Sequence, residues 1–271
     1  MSDIDHLVQL ARVFNPLRKP VLRAAIQALQ LPPGSKGLDA GCGFGLQALM
    51  LAEALRSEGH VTGLDLSPEI LAYAREVVEK AGFAERISFR EGDVRKLPFD
   101  NHTFDWAWSA DCVGYAPMEP LPLVVELARV VKPGGSVAIL AWSSERLLPG
   151  YPQLEARLGA TSAGIAPFVQ GKKPGSHFPR ALGWFRDAGL EACTARTFVG
   201  DAHGPLTDDH RSALMALFEM RWPGVESEMS REDWTEVQRL CSPESPDLIL
   251  DRPDYYAFFT YSIFHGVVAG S

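Results

Sequence analysis

The feature that most narrows what this chain can become is an order repeated along residues 36–142: apolar strand, turn, helix, then strand again. From Leu38 a short strand runs into a glycine cluster and straight out into a helix, where Leu46, Leu49, Met50 and Ala54 fall at helical spacing. His60 to Leu66 reads as a second strand. Ser67-Pro68-Glu69 then supplies an N-cap, a first-turn proline and a first-turn acid to a helix with Ile70, Ala74, Val77, Val78 and Ala81 on one face. Ile87 to Glu91 and Phe104 to Ser109 read as strands three and four. A helix through Leu123, Leu127 and Val131 is stopped by Pro133-Gly134-Gly135, and Ser136 to Trp142 is a fifth strand. Parallel neighbours need crossovers, so this rhythm predicts an α/β fold with helices on both faces of a parallel sheet.

The rest of the chain is less regular. Residues 3–30 read as amphipathic helix interrupted near Asn15-Pro16. After Trp142 comes a Gly/Pro-rich stretch to about Ser176, a helix at Pro179 to Ala188 and a strand at Glu191 to Val199. Helical sequence over 205–254 and a final strand at Tyr256 to Val268 follow. The expected organisation is a single domain over 1–271. Its core covers about 31–142, 177–200 and 255–269, and a helical cap is built from about 1–30, 143–176 and 201–254.

Composition sets the outer bounds. With 46% hydrophobic residues in 271, the chain can bury a large core. Its 34 acids against 26 basic residues give a net charge of −8, which repels phosphate backbones and anionic lipid heads. No Lys/Arg run offsets that field, so neither nucleic acid nor a membrane is an expected partner. The N-terminus, MSDIDHLVQL, carries acids where a secretory signal carries positive charge, and the most apolar stretch, LPLVVELARVVKPGG, is interrupted by Glu126, Arg129, Lys132 and Pro133. A cytoplasmic protein is expected. Cys42, Cys112, Cys193 and Cys241 are scattered and read as free thiols; no CxxC or His-x-x-x-His spacing suggests a metal.

The glycine cluster is DAGCGFG at 39–45. Glycine at 41, 43 and 45 between strand and helix lets the backbone turn tightly and approach a ligand. A dinucleotide fingerprint fails because Leu46 stands where its third glycine belongs, and a P-loop fails for want of Lys-Ser/Thr. Asp65 ends the second strand, where a carboxylate can accept from both ribose hydroxyls of a nucleoside. Gly92-Asp93-Val94 follows the third strand, where an acid can accept from an adenine amino group. The same acids also fit plainer roles, Asp39 and Asp65 as helix caps and Asp93 as a turn former.

Taken together, D-x-G-x-G-x-G, LDLSPEIL, EGDVRKLPF and LARVVKPGG resemble, in order and spacing over about residues 36–142, the class I S-adenosylmethionine-dependent methyltransferases. That resemblance implies a Rossmann-like, doubly wound, seven-stranded and mostly parallel sheet with its last strand antiparallel. It implies S-adenosyl-L-methionine as cofactor, S-adenosyl-L-homocysteine as product, and a binding set of Asp39, Gly41, Cys42, Gly43, Gly45, Asp65, Leu66, Asp93, Val94 and Ser109. The LPF…FD link and the KPGG turn are most similar to small-molecule methyltransferases of quinone and natural-product biosynthesis, a similarity that lapses after Trp142. The amide-methylating motif N-P-P-Y is missing after strand four.

The expected activity is methyl transfer to an O, C or N nucleophile of a small, partly hydrophobic acceptor. SADCVGY at 109–115 should border the reacting methyl, which makes Asp111 and Tyr115 candidates for orienting the acceptor or taking its proton. His177 is the third catalytic candidate, and His210 is another possible base. Phe168, Phe178, Trp184, Phe185, Phe218, Trp222, Trp234, Tyr255 and Phe258 supply material for an aromatic surround. Two rivals stand beside this reading: a cofactor-binding scaffold without transfer activity, and metalloid methylation, which needs Cys112, Cys193 and Cys241 to converge. A homo-oligomer is compatible with the sequence.

Overall fold

The computed structural model describes residues 3–56, 58–114, 118–168 and 171–270. Seven strands form one sheet: β1 Lys36–Ala40, β2 His60–Asp65, β3 Ile87–Glu91, β4 Phe104–Ala110, β5 Val131–Arg146, β6 Leu190–His203 and β7 Tyr256–Val268, in the order β3-β2-β1-β4-β5-β7-β6. The pairings of β1 with β2 and β4, of β2 with β3 and of β4 with β5 are all parallel. β7 runs the other way: Ser143 meets Thr260 through their hydroxyls while Trp142 packs on Tyr261, and Thr197 meets Ser262 while Gly200 lies against Phe259. The last strand is therefore antiparallel, as the resemblance implied.

The helices are α1 Asp3–Ala28, α2 Leu46–Ala54, α3 Pro68–Lys80, α4 Pro120–Val130, α5 Pro152–Gly159, α6 Ser162–Ile165, α7 Ala181–Asp187, α8 Asp208–Arg221 and α9 Arg231–Cys241. α3 starts as its sequence predicts, with Ser67 Oγ accepting from the Ile70 N–H at 3.2 Å and Pro68 and Glu69 in the first turn. Leu38, Leu64, Phe104, Ala107, Leu127, Val137 and Ile139 are buried to within 1% and fill the core around the central strands. Trp106 donates to Ser35 Oγ and Trp108 to Gln47 Oε1, both at 2.9 Å, so each buried indole keeps its hydrogen bond. Because β2 lies on one side of β1 and β4 on the other, the strand order reverses at β1. In sheets of this kind ligands bind at that reversal, outside the carboxyl ends of the strands.

Four local expectations are corrected. α1 is not interrupted at Asn15-Pro16; it continues through Pro16 and Pro20. Each proline removes a backbone donor, but the buried row Leu17, Val21, Leu22, Ala25 and Ile26 holds the helix across both. The Pro133-Gly134-Gly135 stop belongs to β5 itself. Pairing jumps from Phe104↔Val131 to Trp106↔Ser136, so extra residues loop out as a bulge, which the left-handed Gly134 (φ 78°) permits. A Cβ at Gly135 would strike the Asp105 carbonyl. The stretch from 143 to 176, read as irregular, contains the end of β5 together with α5 and α6. β6 also extends on to His203 rather than ending at Val199.

The chain forms two compact units: Met1–Val21, Ser143–Gly171 and Val199–Thr260 in one, and Leu22–Trp142, Lys172–Phe198 and Tyr261–Ser271 in the other. Within the first, Arg221 at the end of α8 donates to Glu145 Oε1 (2.7 Å) and to the carbonyls of Ala163 (2.8 Å) and Gly164 (2.7 Å) on α6. Phe218 and Trp222 stack at 5.9 Å nearby in sequence. Replacing Arg221 with Ala would remove the donors that reach the Glu145 carboxylate and the Ala163 and Gly164 carbonyls. The expected result in urea unfolding is a loss of about 3 kcal/mol, and a change within experimental error would show that this node is not needed.

Candidate active site

At the carboxyl end of β1 the chain turns under the next strand. The N–H groups of Gly41 and Cys42 both donate to the Leu64 carbonyl, at 2.8 and 2.9 Å, and Gly45 closes the turn by donating to Cys42 O at 3.0 Å. Gly41 is held at φ 78°, and a Cβ there would lie 2.5 Å from Cys112 Sγ. At Gly43, φ 50°, the opposite holds: a Cβ would meet nothing within 4 Å, so bare backbone borders open space. α2 then begins at Gly45 with no side-chain cap.

Asp65 ties this loop down. Its Oδ2 accepts from the Gly43 N–H at 3.0 Å and its Oδ1 from the Ser67 N–H at 3.2 Å, so one carboxylate joins the glycine loop to the start of α3. Leu66, next to it, is 60% exposed, one of the few large apolar side chains left uncovered. Asp93 lies after β3 and accepts from the backbone N–H and Nε of Arg95, at 2.8 and 2.7 Å; those bonds hold its carboxyl below the usual range. A carboxylate has about four acceptor positions, so Asp93 keeps capacity for a further donor. Val94 beside it is buried.

Asp39 is the electrostatic anomaly. It is 1% exposed, and its Oδ2 is buried without a hydrogen-bond partner. Its register neighbours are Gly63 on β2 and Trp108 on β4, neither of which carries charge. Burial first, and then the negative charge of Asp65, push its carboxyl up to about 8. Burial likewise raises the thiols of Cys42, which is inert packing behind the loop, and of Cys112, up to about 11. All four cysteines are free.

Other anticipated residues have structural work. Ser109 is fully buried; its hydroxyl donates to the Ala40 carbonyl at 2.7 Å and accepts from the Val113 N–H at 3.2 Å, which fixes the end of β4 against β1. Its hydroxyl is therefore placed to position the loop. Asp111, at φ 51°, donates its N–H to the Leu140 carbonyl at 2.8 Å and accepts from the Trp142 N–H at 3.1 Å through Oδ1. Tyr115 lies outside the described residues. His177 is exposed, one residue before the buried Phe178. A Cβ on Gly114 would lie 2.8 Å from Trp184 and 3.2 Å from Phe178, and Phe178 meets Phe264 edge-on at 5.1 Å. An aromatic wall thus borders the loop after β4. Sequence reading named Phe178 and Trp184 only among many aromatics, and it missed Arg95. The two-residue spacing from Asp93 to Arg95, typical of an Asx turn, was the available signal.

S-adenosylmethionine fits these residues. A buried carboxyl oxygen lacks a donor and suits a cation, Gly43 leaves backbone open to a ligand, and exposed Leu66 beside Asp65 offers an apolar face next to a ribose acceptor. Among the described residues no group of three or more His, Cys, Asp or Glu is placed to hold a metal ion, so the convergence that metalloid transfer requires is not found there. The raised carboxyl of Asp39 makes a stability prediction. From about pH 4 to about 8 the unfolded chain has released a proton that the folded chain keeps. Stability therefore falls as pH rises through that window, by up to about 1.4 kcal/mol per pH unit. Asp39→Asn keeps the neutral shape, and its stability in urea should gain on the natural protein steadily from about pH 5 to 8. A gap that stays constant with pH would contradict this.

Comparison with known proteins agrees with that fit. Residues 38–135 match the family described as Methyltransferase domain. A demethylmenaquinone methyltransferase of Bacillus cytotoxicus is 34% identical over 191 residues, covering 65% of this chain and 78% of that protein. Among solved structures, a geranyl diphosphate methyltransferase in complex with S-adenosylmethionine is similar at TM-score 0.51 and 16% identity, covering 97% of this chain and 87% of that one. The [4+2]-cyclase SpnF is similar at TM-score 0.55 and 20% identity, covering 92% and 81%. The last two bear on the fold alone, and they show one fold hosting different chemistries. Sequence, site and relatives converge: the chain belongs to the class I S-adenosylmethionine-dependent methyltransferases.

Proposed function

We propose that this methyltransferase acts by in-line displacement on an O, C or N nucleophile of a small, partly hydrophobic molecule, leaving S-adenosyl-L-homocysteine. The observation that carries the reading is the constellation at the ends of β1 and β2: Asp39 buried with a free oxygen, Asp65 latched to Gly43, and Leu66 exposed beside it. Bound there, the cofactor supplies a methyl group on a cationic sulfur. Asp65 would accept from the ribose hydroxyls, Leu66 and Val94 would frame the adenine, Asp93 would accept from its amino group, and Asp39 would face positive charge. Ser109 positions the loop at 109–114, and Phe178, Trp184 and Phe264 keep water from it. When an anionic nucleophile meets a cationic donor, charge is lost in the transition state, and an apolar wall favours that change.

The acceptor is taken to be hydroxylated or quinol-like, in keeping with the demethylmenaquinone methyltransferase relative. In this reading Asp111 orients it, with Tyr115 and His177 as further candidates for its proton. No helix among the described residues is long and apolar enough to cross a membrane. A cytoplasmic, single-domain enzyme, with 1–30, 143–176 and 201–254 as accessory segments and no nucleic-acid partner, is the matching proposal.

The test is transfer of label from methyl-labelled S-adenosylmethionine to a panel of small acceptors, with RNA and protein as controls. Label should enter hydroxylated aromatic or quinol acceptors. Intact cofactor binding with no transfer to any acceptor would favour a scaffold instead. On an acceptor that works, Asp111→Asn, which tolerates the left-handed backbone, should lower kcat by roughly 10²-fold without changing cofactor affinity. An unchanged kcat would remove Asp111 from the reaction.

A further inference from the structure

We propose that Asp39 is a proton-linked counter-charge: a neutral carboxylic acid in the cofactor-free protein that releases its proton to solvent when a cationic centre of the cofactor comes to face Oδ2. The inference rests on the methyltransferase reading and adds to it a proton that moves with every cofactor exchange. The O–H bond of the carboxyl breaks, the proton goes to buffer, and the carboxylate pairs with the ligand's charge; nothing is oxidised or reduced.

The geometry carries it. Asp39 is 1% exposed and its Oδ2 has no donor, a costly state for a charged oxygen. The charge acting on it is that of Asp65 on β2, and Asp39, adding to burial, in turn raises the thiols of Cys42 in the glycine loop and Cys112 after β4. Asp65 accepts a backbone N–H on each oxygen, and its negative charge opposes a second one beside it. The neighbours in register, Gly63 and Trp108, bring no cation. The raised carboxyl, about 8, agrees with that arrangement. None of these neighbours brings a positive charge, and the bare backbone of Gly43 in the following loop borders open space for a ligand that does.

Two cationic centres qualify, the α-ammonium and the sulfonium of S-adenosylmethionine, and only the first survives in S-adenosylhomocysteine. Calorimetric titration of the whole chain with each, in buffers of different ionisation enthalpy at about pH 7, reads the proton directly. The expected result with S-adenosylmethionine is close to one proton released, and an affinity that rises about tenfold per pH unit and levels off above about pH 8. Release with both ligands identifies the ammonium as the partner; release with S-adenosylmethionine alone identifies the sulfonium. In Asp39→Asn the release and the pH slope should vanish. An infrared band of a protonated carboxyl should be present in the free natural protein, lost on cofactor addition, and missing from free Asp39→Asn whether or not that variant binds. Binding without proton release, or release that persists in Asp39→Asn, would overturn the proposal alone. Failure of the natural protein to bind either ligand would instead defeat the cofactor site on which it rests.

Discussion

The site depends on one carboxylate with two jobs. Asp65 accepts from the amides of Gly43 and Ser67, so the glycine loop, the end of β2 and the start of α3 are set by the same group. Charged acceptors on backbone N–H groups make strong hydrogen bonds, and here they hold a loop whose three glycines have no side chains to pack. Beneath the loop, the same negative charge opposes ionisation of Asp39. Loop geometry and the protonation state of the buried acid are thereby coupled through Asp65. The residue suited to accept from a ribose is also the one that shapes the platform on which a nucleoside would lie, so its loss acts on binding through both routes.

The sheet explains why these acids meet. Strand order reverses at β1, between β2 and β4, and the carboxyl ends of these strands bring Asp39, Asp65 and the loop after β4 together. Ser109 closes the far side by linking the Ala40 carbonyl to the Val113 amide. Cys112 packs under Gly41, where only glycine fits. The loop after β4 then passes Gly114 against Phe178 and Trp184.

Much of this was legible because the relevant signals are local. The alternation of strands and helices, the Ser67 cap, the order of the glycines and the final strand at Tyr256–Val268 each depend on residues near in sequence. What escaped depends on tertiary contacts. Asn15-Pro16 reads as an interruption, yet a buried apolar row carries α1 past it and past Pro20. Pro133-Gly134-Gly135 reads as a stop, yet strand pairing resumes beyond it at Ser136. In the site, the residue types were readable but their present partners were not. Nothing local distinguishes a Ser109 hydroxyl held between Ala40 and Val113 from one free to meet a ligand, whereas the grip of Asp93 on Arg95, two residues away, was within local reach. The unpartnered oxygen of Asp39 is likewise a property of its neighbours, Gly63 and Trp108, far away in the chain.

The most direct measurement is a crystal structure with S-adenosylhomocysteine bound. Its ribose hydroxyls are expected within about 3 Å of the Asp65 carboxylate, the adenine against Leu66 and Val94, and the amino-acid end beside Gly43 on the side of Asp39. A nucleoside seated elsewhere, such as the cleft of about 1030 Å³ lined by Tyr151, Arg157, Arg231 and Glu232, with the glycine loop left empty, would contradict the account.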